Sequence, residues 1–130
     1  MISGIGLDIV SIDRIKLLKE NYGDRFLNRV FSTDELNNIN KIKHKNKIEQ
    51  KIAGFFAAKE AFLKSLRIGL FSIPFNSINV LNEQNGAPFL FIDDEIRKFI
   101  LNKYNAKINK ISLSISHDNG FAAAIVILEN

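Results

Sequence analysis

The sequence predicts an α+β fold in which a long helix packs on a mostly antiparallel sheet. Two observations indicate this class: residues 2–10 alternate as a strand does, and the chain after Pro74 contains two hairpin patterns. The stretch between them has helical spacing. An isolated strand, a helical block and two hairpins fit most simply as helices packed on an antiparallel sheet. The 130 residues are expected to form one domain, 1–130, without repeats.

The first predicted strand, residues 2–10, has two unlike faces. One face carries three large aliphatic side chains, which we expect to be well packed: Ile5, Leu7 and Ile9. Asp8 lies on the other face, beside Gly4 and Gly6. Because glycine carries no side chain, another backbone, a helix or a ligand can approach this carboxylate closely.

Short helices are predicted after the first strand. Ser11 or Asp13 can cap one helix, and a further helical turn follows Gly23. Ser32 and Glu35 have the spacing of a capping box, in which each side chain bonds the backbone amide of the other residue. A third helix is therefore expected to begin there.

The long helix, predicted over about 48–66 and ending near Gly69, carries charges within its apolar stripe. Lys59 falls in the middle of the stripe, Glu60 on its edge and Lys64 one turn further. Such charges fit a functional site. They fit equally well a surface pair of Glu60 and Lys64 with a Lys59 whose ammonium bends outward.

The remaining elements are predicted, in chain order, as a strand pair, a helix and a second strand pair. They are strands at 77–82 and 87–92 around Asn85-Gly86, a helix capped by Asp93 or Asp94, and strands at 111–117 and 121–128.

The composition restricts the chemistry and the cellular location. The chain has no cysteine, so disulfides, thiolate metal sites and a cysteine nucleophile are excluded, and a cytoplasmic location is expected. The chain has no signal-peptide pattern and no apolar run of about 18 residues, so we expect no membrane span. A net charge of +4 favours acidic partners without choosing among them.

Asp8 and Glu60 are the candidate catalytic pair, provided that the first strand and the long helix pack together. Two carboxylates make an oxygen site that suits Mg²⁺, which uses one or two carboxylates together with water and substrate phosphates. Lys59 and Lys64 would add positive charge beside the same phosphates. The alternative is a strand-end Asp8 and a Glu60 in a surface ion pair.

Other polar segments indicate a function less specifically. The basic run Lys41–Lys47 is usually a solvated surface, and a phosphate contact is the alternative. His117 ends a predicted strand, where a hydrogen-bonded terminus is commoner than a catalyst. No G-x-S-x-G, P-loop or dinucleotide-binding glycine pattern occurs, so serine hydrolases and these nucleotide-binding folds are not indicated.

Three segments in order and spacing resemble the holo-acyl-carrier-protein synthases, the short bacterial 4′-phosphopantetheinyl transferases. They are Gly4–Val10, Phe56–Ala61 and Ser114–His117, with Asn85–Pro88 between the last two. The resemblance covers nearly the whole chain. It implies transfer of the phosphopantetheine arm of coenzyme A to a serine of apo-acyl carrier protein, with release of adenosine 3′,5′-bisphosphate. It also implies a homotrimer with the active site between subunits.

The resemblance further implies roles for single residues. Asp8 and Glu60 match the family's Mg²⁺ ligands, with Glu60 or a water on the metal as the base and Lys64 beside the leaving phosphate. Residues in the positions that bind coenzyme A are His117 and lysines among Lys43, Lys45 and Lys47. Residues in the positions that meet the acidic carrier protein are Arg14, Arg25 and Arg29.

The chain departs from the family pattern at three places. Phe55 stands where arginine is common, Arg67-Ile68-Gly69 replaces a glycine-rich turn, and Ala87 replaces a lysine. The first two departures concern nucleotide contacts. They do not concern the catalytic chemistry, since both carboxylates and Lys64 are present.

Two other functions fit parts of the sequence. A nucleic-acid-binding module would use the lysines of 41–51 on phosphates and phenylalanines for stacking, but most of the eleven phenylalanines occupy core-facing positions, so no nucleic acid partner is expected. A metal-dependent phosphohydrolase or nuclease would use the same two carboxylates with water as the acceptor.

Overall fold

A computed structural model describes residues 1–130, and its architecture is α+β, as predicted. The elements in chain order are β1 (Ile2–Ser11), α1 (Ile12–Tyr22), α2 (Asp24–Val30), α3 (Thr33–Asn40), α4 (Lys45–Ser65), a 3₁₀ turn (Phe75–Ser77), β2 (Asn79–Asn82), β3 (Pro88–Phe91), α5 (Asp94–Tyr104), β4 (Lys110–Asp118) and β5 (Phe121–Glu129). None of the helices is long and apolar enough to cross a bilayer.

Two antiparallel sheets contain all five strands. β1, β5 and β4 form one sheet in that order, and β2 pairs with β3 in the other. Asp8 lies opposite Ala124, and His117 lies opposite Ala122 on the other side of β5. Both predicted hairpins are present. The turn between β4 and β5 has φ values of 48° at Asn119 and 81° at Gly120, as a two-residue hairpin turn requires.

β1 packs its glycine face, and not its isoleucine face, against α4. A Cβ on Gly6 would lie 1.8 Å from the carbonyl oxygen of Ala61, and one on Gly4 would lie 2.1 Å from that of Ser65. The two glycines therefore let the helix lie directly on the strand backbone. The expectation that the aliphatic face is the well-packed one was wrong: its residues are 60–65% exposed, namely Ile5, Leu7 and Ile9.

Helix ends follow the local signals in most places. Ser11 accepts from the amide of Arg14, Ser32 and Glu35 form the full capping box, and Asp93 accepts from the amide of Ile96. α4 begins and ends slightly earlier than predicted. It is closed after Leu66 by Arg67, whose φ of 60° is left-handed, and not by Gly69.

α4 lies at the centre of the protein. Fourteen of its residues are buried, and the buried apolar side chains of the chain form one cluster of 26 residues. Because α4 contacts the strands β1, β4 and β5 and also the helices α1 and α3, its charged residues are placed by these packing partners as well as by the helix itself. Glu60 is therefore fixed by the fold rather than by its own helix alone.

Candidate active site

The carboxyl groups of Asp8 and Glu60 meet where β1 packs on α4. Both residues are buried, with 6% and 8% of their surface exposed. Burial is the main cause that raises the pKa of Glu60 to about 7, followed by the negative charge of Asp8, which would also accept a hydrogen bond from the protonated form of Glu60. The positive charges of Arg14 and Lys64 act in the opposite direction. The structure thus brings together two acids that are distant in sequence.

Only one of the two carboxylate oxygens of Asp8 has a hydrogen-bond partner. Its Oδ1 accepts a hydrogen bond of 3.0 Å from Nζ of Lys64, which also donates to the carbonyl oxygen of Leu7 at 3.2 Å. Its Oδ2 is buried and has no hydrogen-bond partner. Lys64 therefore pairs with Asp8, and not with Glu60 as in the surface pair that the sequence allowed. A buried carboxylate oxygen without a partner is costly unless a cation or donor completes it.

The donor set fits a divalent cation that keeps other ligands of its own. No group of three or more His, Asp or Glu side chains is close enough to bind one ion in residues 1–130. Two carboxylates are too few for a closed zinc or calcium site, but they suit Mg²⁺, which retains water and phosphate oxygens. The unpartnered oxygen of Asp8 and the facing Glu60 are where such an ion would be held.

Lys59 lies in the core of the protein. Its ammonium is fully buried and donates to Oε1 of Glu35 at 2.6 Å and to the carbonyl oxygens of Val30 at 2.6 Å and Phe75 at 3.0 Å. Burial lowers the pKa of Lys59 to about 8, and the charge and hydrogen bond of Glu35 oppose this. The structure contradicts the prediction that Lys59 adds positive charge beside the phosphates of a substrate such as coenzyme A, because all three ammonium hydrogens are already used. It also contradicts the outward-bending alternative.

Arg14, Arg25 and Arg29 line a single pocket of about 500 Å³. Its other walls are mostly apolar and include Phe56 and Phe71. The guanidinium of Arg29 lies 4.9 Å from the centre of the Phe71 ring, and that of Arg14 lies 5.9 Å from the centre of Phe56. Phe56, which lines the pocket, lies one helical turn before Glu60 on the same face of α4, so the pocket adjoins the carboxylates. We call it the arginine pocket.

Phe71 was missed by the sequence reasoning. It is 51% exposed and has a left-handed φ of 62°, so it belongs to neither a helical nor a strand pattern. The only sequence signal is its position after Gly69-Leu70, in a segment between two predicted elements. A large exposed aromatic residue held against an arginine is a common feature of binding surfaces.

A second pocket, of about 300 Å³, lies beside His117 and is lined by Lys47, Lys51 and Phe55. Nε2 of His117 donates to the carbonyl oxygen of Gln50 at 2.8 Å. Nζ of Lys51 lies 5.4 Å from the centre of the Phe55 ring. The two lysines share one face of α4 because they are four residues apart, a spacing visible in the sequence. We call this the histidine pocket.

The other predicted lysines lie outside that pocket. Lys43 precedes α4, Lys45 is its first residue, and both are exposed. Neither lines the histidine pocket. Of the basic run, Lys47 is therefore the member that the structure brings beside His117, and Lys51 joins it from the next turn.

The chain matches the family model of the 4′-phosphopantetheinyl transferase superfamily over residues 4–126, and it belongs to that family. Within it, the chain is similar to holo-acyl-carrier-protein synthases. The enzyme of Campylobacter hominis is 42% identical over 126 residues, which cover 96% of each chain. That of Halothermothrix orenii is 42% identical over 129 residues, which cover 99% of this chain and 98% of the other.

Solved structures agree with this relationship. The Helicobacter pylori holo-acyl-carrier-protein synthase, crystallised in complex with coenzyme A, has a TM-score of 0.79 and 35% identity, over 96% of this chain and 99% of that chain. The Neisseria meningitidis synthase has a TM-score of 0.83 and 31% identity over 100% of both chains. The predicted family resemblance and the predicted fold class are both confirmed.

Proposed function

We propose that this protein transfers the 4′-phosphopantetheine group of coenzyme A to a serine of apo-acyl carrier protein and releases adenosine 3′,5′-bisphosphate. Family membership and the similarity to synthases such as the coenzyme A-bound Helicobacter pylori enzyme support this function. The observation that carries the proposal is the buried meeting of Asp8 and Glu60 beside Lys64, since it offers acid groups and positive charge at one place.

We propose Mg²⁺ as the cofactor, held by Asp8 and Glu60. The unpartnered Oδ2 of Asp8 and the raised pKa of Glu60 support this, because a cation between two acids favours the charged form of both. Bound there, Mg²⁺ would neutralise the diphosphate of coenzyme A and make its β-phosphorus more electrophilic.

The transfer needs one proton acceptor and one stabiliser of the leaving group. Glu60 is suited to take the serine proton as the bond from serine oxygen to the β-phosphorus forms, because the cation proposed beside it would favour its charged form. The bond from that phosphorus to the bridging oxygen breaks, and the electrons pass to adenosine 3′,5′-bisphosphate. Lys64 is suited to stabilise that charge: its side chain is 54% exposed, and two acceptors hold its ammonium in place.

The histidine pocket is proposed to bind the nucleotide end of coenzyme A. Lys47 and Lys51 supply positive charge for its phosphate, and His117 keeps Nδ1 free as an acceptor while Nε2 is bonded to Gln50. Lys43 and Lys45 stay predictions as further phosphate contacts, since both are exposed near the start of α4.

The arginine pocket is proposed to receive the acidic carrier protein. Arg14, Arg25 and Arg29 give it positive charge at the rim, and its apolar walls give area that an apolar side chain of the carrier can cover. The same pocket adjoins Glu60, so a carrier bound there would have its serine near the proposed base.

We also propose the homotrimer that the sequence resemblance implied, with the active site between subunits. The exposed aliphatic face of β1 supports association, because contiguous apolar patches of this kind mark interfaces. β5 extends the patch, since Ile125 lies opposite Leu7 and Phe121 lies opposite Ser11. Sedimentation equilibrium of the native protein tests this, and a monomer at assay concentration would contradict it. The cytoplasmic location stays a prediction.

The function is tested by incubating the protein with coenzyme A, Mg²⁺ and apo-acyl carrier protein and weighing the carrier by mass spectrometry. We expect one phosphopantetheine addition, which EDTA abolishes. An incubation with coenzyme A but without the carrier distinguishes a transferase from the phosphohydrolase alternative, since a hydrolase would still release nucleotide. No addition by the folded protein with Mg²⁺ present would contradict the proposal.

A further inference from the structure

The buried pair of Lys59 and Glu35 connects five elements of the fold. From α4, Lys59 bonds the carbonyl oxygen of Val30 at the end of α2 and that of Phe75 at the start of the 3₁₀ turn. Glu35, in α3, accepts from Lys59 and from the amide of Ser32 through Oε1. Its Oε2 accepts from the amide of Val80 in β2 at 2.9 Å.

One of these anchored elements, α2, lines the arginine pocket, and another, the 3₁₀ turn, supports a residue that lines it. Val30 itself lines the pocket, and α2 carries Arg25 and Arg29. Phe75 supports Phe71, which lines the pocket, because the two rings stack with their centres 4.9 Å apart. Through Val30 and Phe75, the ion pair therefore holds on α4 both α2 and the residue on which Phe71 stacks.

A stability role alone does not explain this pair. Removing two charges from water is costly, and apolar side chains of similar volume often stabilise a core at least as well as a buried ion pair. What apolar side chains cannot do is fix two backbone carbonyls and two backbone amides at set distances. The lowered pKa of Lys59 fits such a costly position.

We propose that Lys59 and Glu35 are positioning residues for carrier recognition: they hold α2 and the segment before Phe75 in the arrangement that presents Arg25 and Arg29 to the carrier protein. The inference rests on the proposed function of the arginine pocket. Neither residue touches a substrate; each acts through the backbone that it anchors.

The test uses the charge-neutral double variant Lys59→Met/Glu35→Gln. Lys59→Met alone would leave a buried unpaired carboxylate, whereas the glutamine keeps an acceptor for the amide of Val80. In the variant we expect the KM for the carrier to rise about tenfold, with KM for coenzyme A and kcat changed less than about twofold. The matched control, Glu95→Gln/Lys98→Met, makes the same substitutions on the exposed surface of α5, which does not line the pocket.

A double-mutant cycle with Arg29→Ala distinguishes positioning from general loosening of the fold. If the ion pair positions Arg29, Arg29→Ala raises the KM for the carrier by a smaller factor in the Lys59→Met/Glu35→Gln background than in the native protein. Equal rises in the carrier KM on Arg29→Ala in both backgrounds would overturn the proposal. So would a Lys59→Met/Glu35→Gln variant in which the KM for the carrier and the KM for coenzyme A rise equally.

Glu35→Asp provides a second variant if the double variant does not fold. It keeps both charges but shortens the acid by one methylene, so it cannot reach both Lys59 and the Val80 amide. We expect a smaller rise of about threefold in the carrier KM. An unchanged carrier KM would overturn the proposal. A native protein that transfers nothing would instead contradict the proposed function, so the two failures are distinguishable.

Discussion

Nζ of Lys64 lies 3.0 Å from Oδ1 of Asp8, while Oδ2 of the same carboxylate is buried without a partner. Lys64 lies in the last turn of α4 and Asp8 in β1, so the pair spans the contact that the glycines of β1 permit. One lysine neutralises one side of the acid pair. The other side, toward Glu60, keeps the negative charge that a cation requires.

Glu60→Gln is expected to remove most phosphopantetheine transfer while leaving the fold intact. The substitution is nearly isosteric, but the amide can neither accept the serine proton nor give a charged ligand to a cation. Loss of a general base typically costs about 10² to 10⁴ in rate. Mass spectrometry of the carrier measures the rate, and Glu95→Gln on the exposed surface of α5 is the matched control. Native turnover in Glu60→Gln would contradict its catalytic role.

Glu60 is also expected to make the metal-free protein less stable as pH rises. Its pKa is raised from 4.5 to about 7, so between these values the folded protein holds a proton that the unfolded chain releases. The free energy of unfolding therefore falls with rising pH across this range and levels off above it.

Glu60→Gln lacks this titration and should exceed the native protein in stability near pH 8, in EDTA, by about 1–2 kcal/mol after allowance for partial solvent screening. The difference should vanish toward the lower end of the range. Thermal unfolding followed by circular dichroism measures the stability difference near pH 8 and at the lower end of the range. A variant less stable than the native protein near pH 8 would show that burial and Asp8 do not penalise the charged form of Glu60.

Mg²⁺ is expected to stabilise the folded protein without any substrate. A ligand that binds only the native state at about 100 times its dissociation constant adds about 2.7 kcal/mol to the free energy of unfolding. The upward shift in melting temperature should disappear in Asp8→Asn, because one of the two proposed ligands is lost. NaCl at the same ionic strength is the control for general screening. Equal shifts with both salts would argue against a specific site.

The parts of the fold that local chemistry determines could be predicted from the sequence. The capping box at Ser32 and Glu35 and the turn at Asn119-Gly120 have residue types that few other conformations favour. The packed face of β1 could be predicted only in part, because alternation defines two faces but not which one a helix covers, and the glycines indicated only that a helix could approach one of them. The contact is marked by Gly4 and Gly6, where helix and strand backbones meet.

The candidate site could be predicted where the residue type itself suggests a role, and not where a residue's partner is remote in sequence. Asp8 and Glu60 were singled out as an acid pair, yet only packing brings them together. Lys59 was misassigned because its partner, Glu35, is 24 residues away and was recognised only as a capping residue. Glu35 fills both roles at once, with Oε1 shared between the amide of Ser32 and Lys59.

Gly54→Ala is expected to weaken coenzyme A binding without weakening the fold. Alanine is the better helix former by about 1 kcal/mol, so α4 itself should tolerate it. The new Cβ, however, would lie 2.8 Å from Nε2 of His117 and 3.0 Å from Cγ2 of Ile115. The imidazole can move more easily than the helix, so it should leave its bond to Gln50 and disturb the histidine pocket.

We expect the KM for coenzyme A to rise about tenfold in Gly54→Ala, with the KM for the carrier nearly unchanged, because the arginine pocket contains neither residue of this contact. Steady-state kinetics with each substrate varied in turn measure both constants. Gly69→Ala is the matched control, since a Cβ there would meet only Oγ of Ser72 at 3.7 Å. His117→Ala in the Gly54→Ala background should add little, because the imidazole is already displaced. A full additional loss in that double variant would mean that His117 still binds the nucleotide from a shifted position.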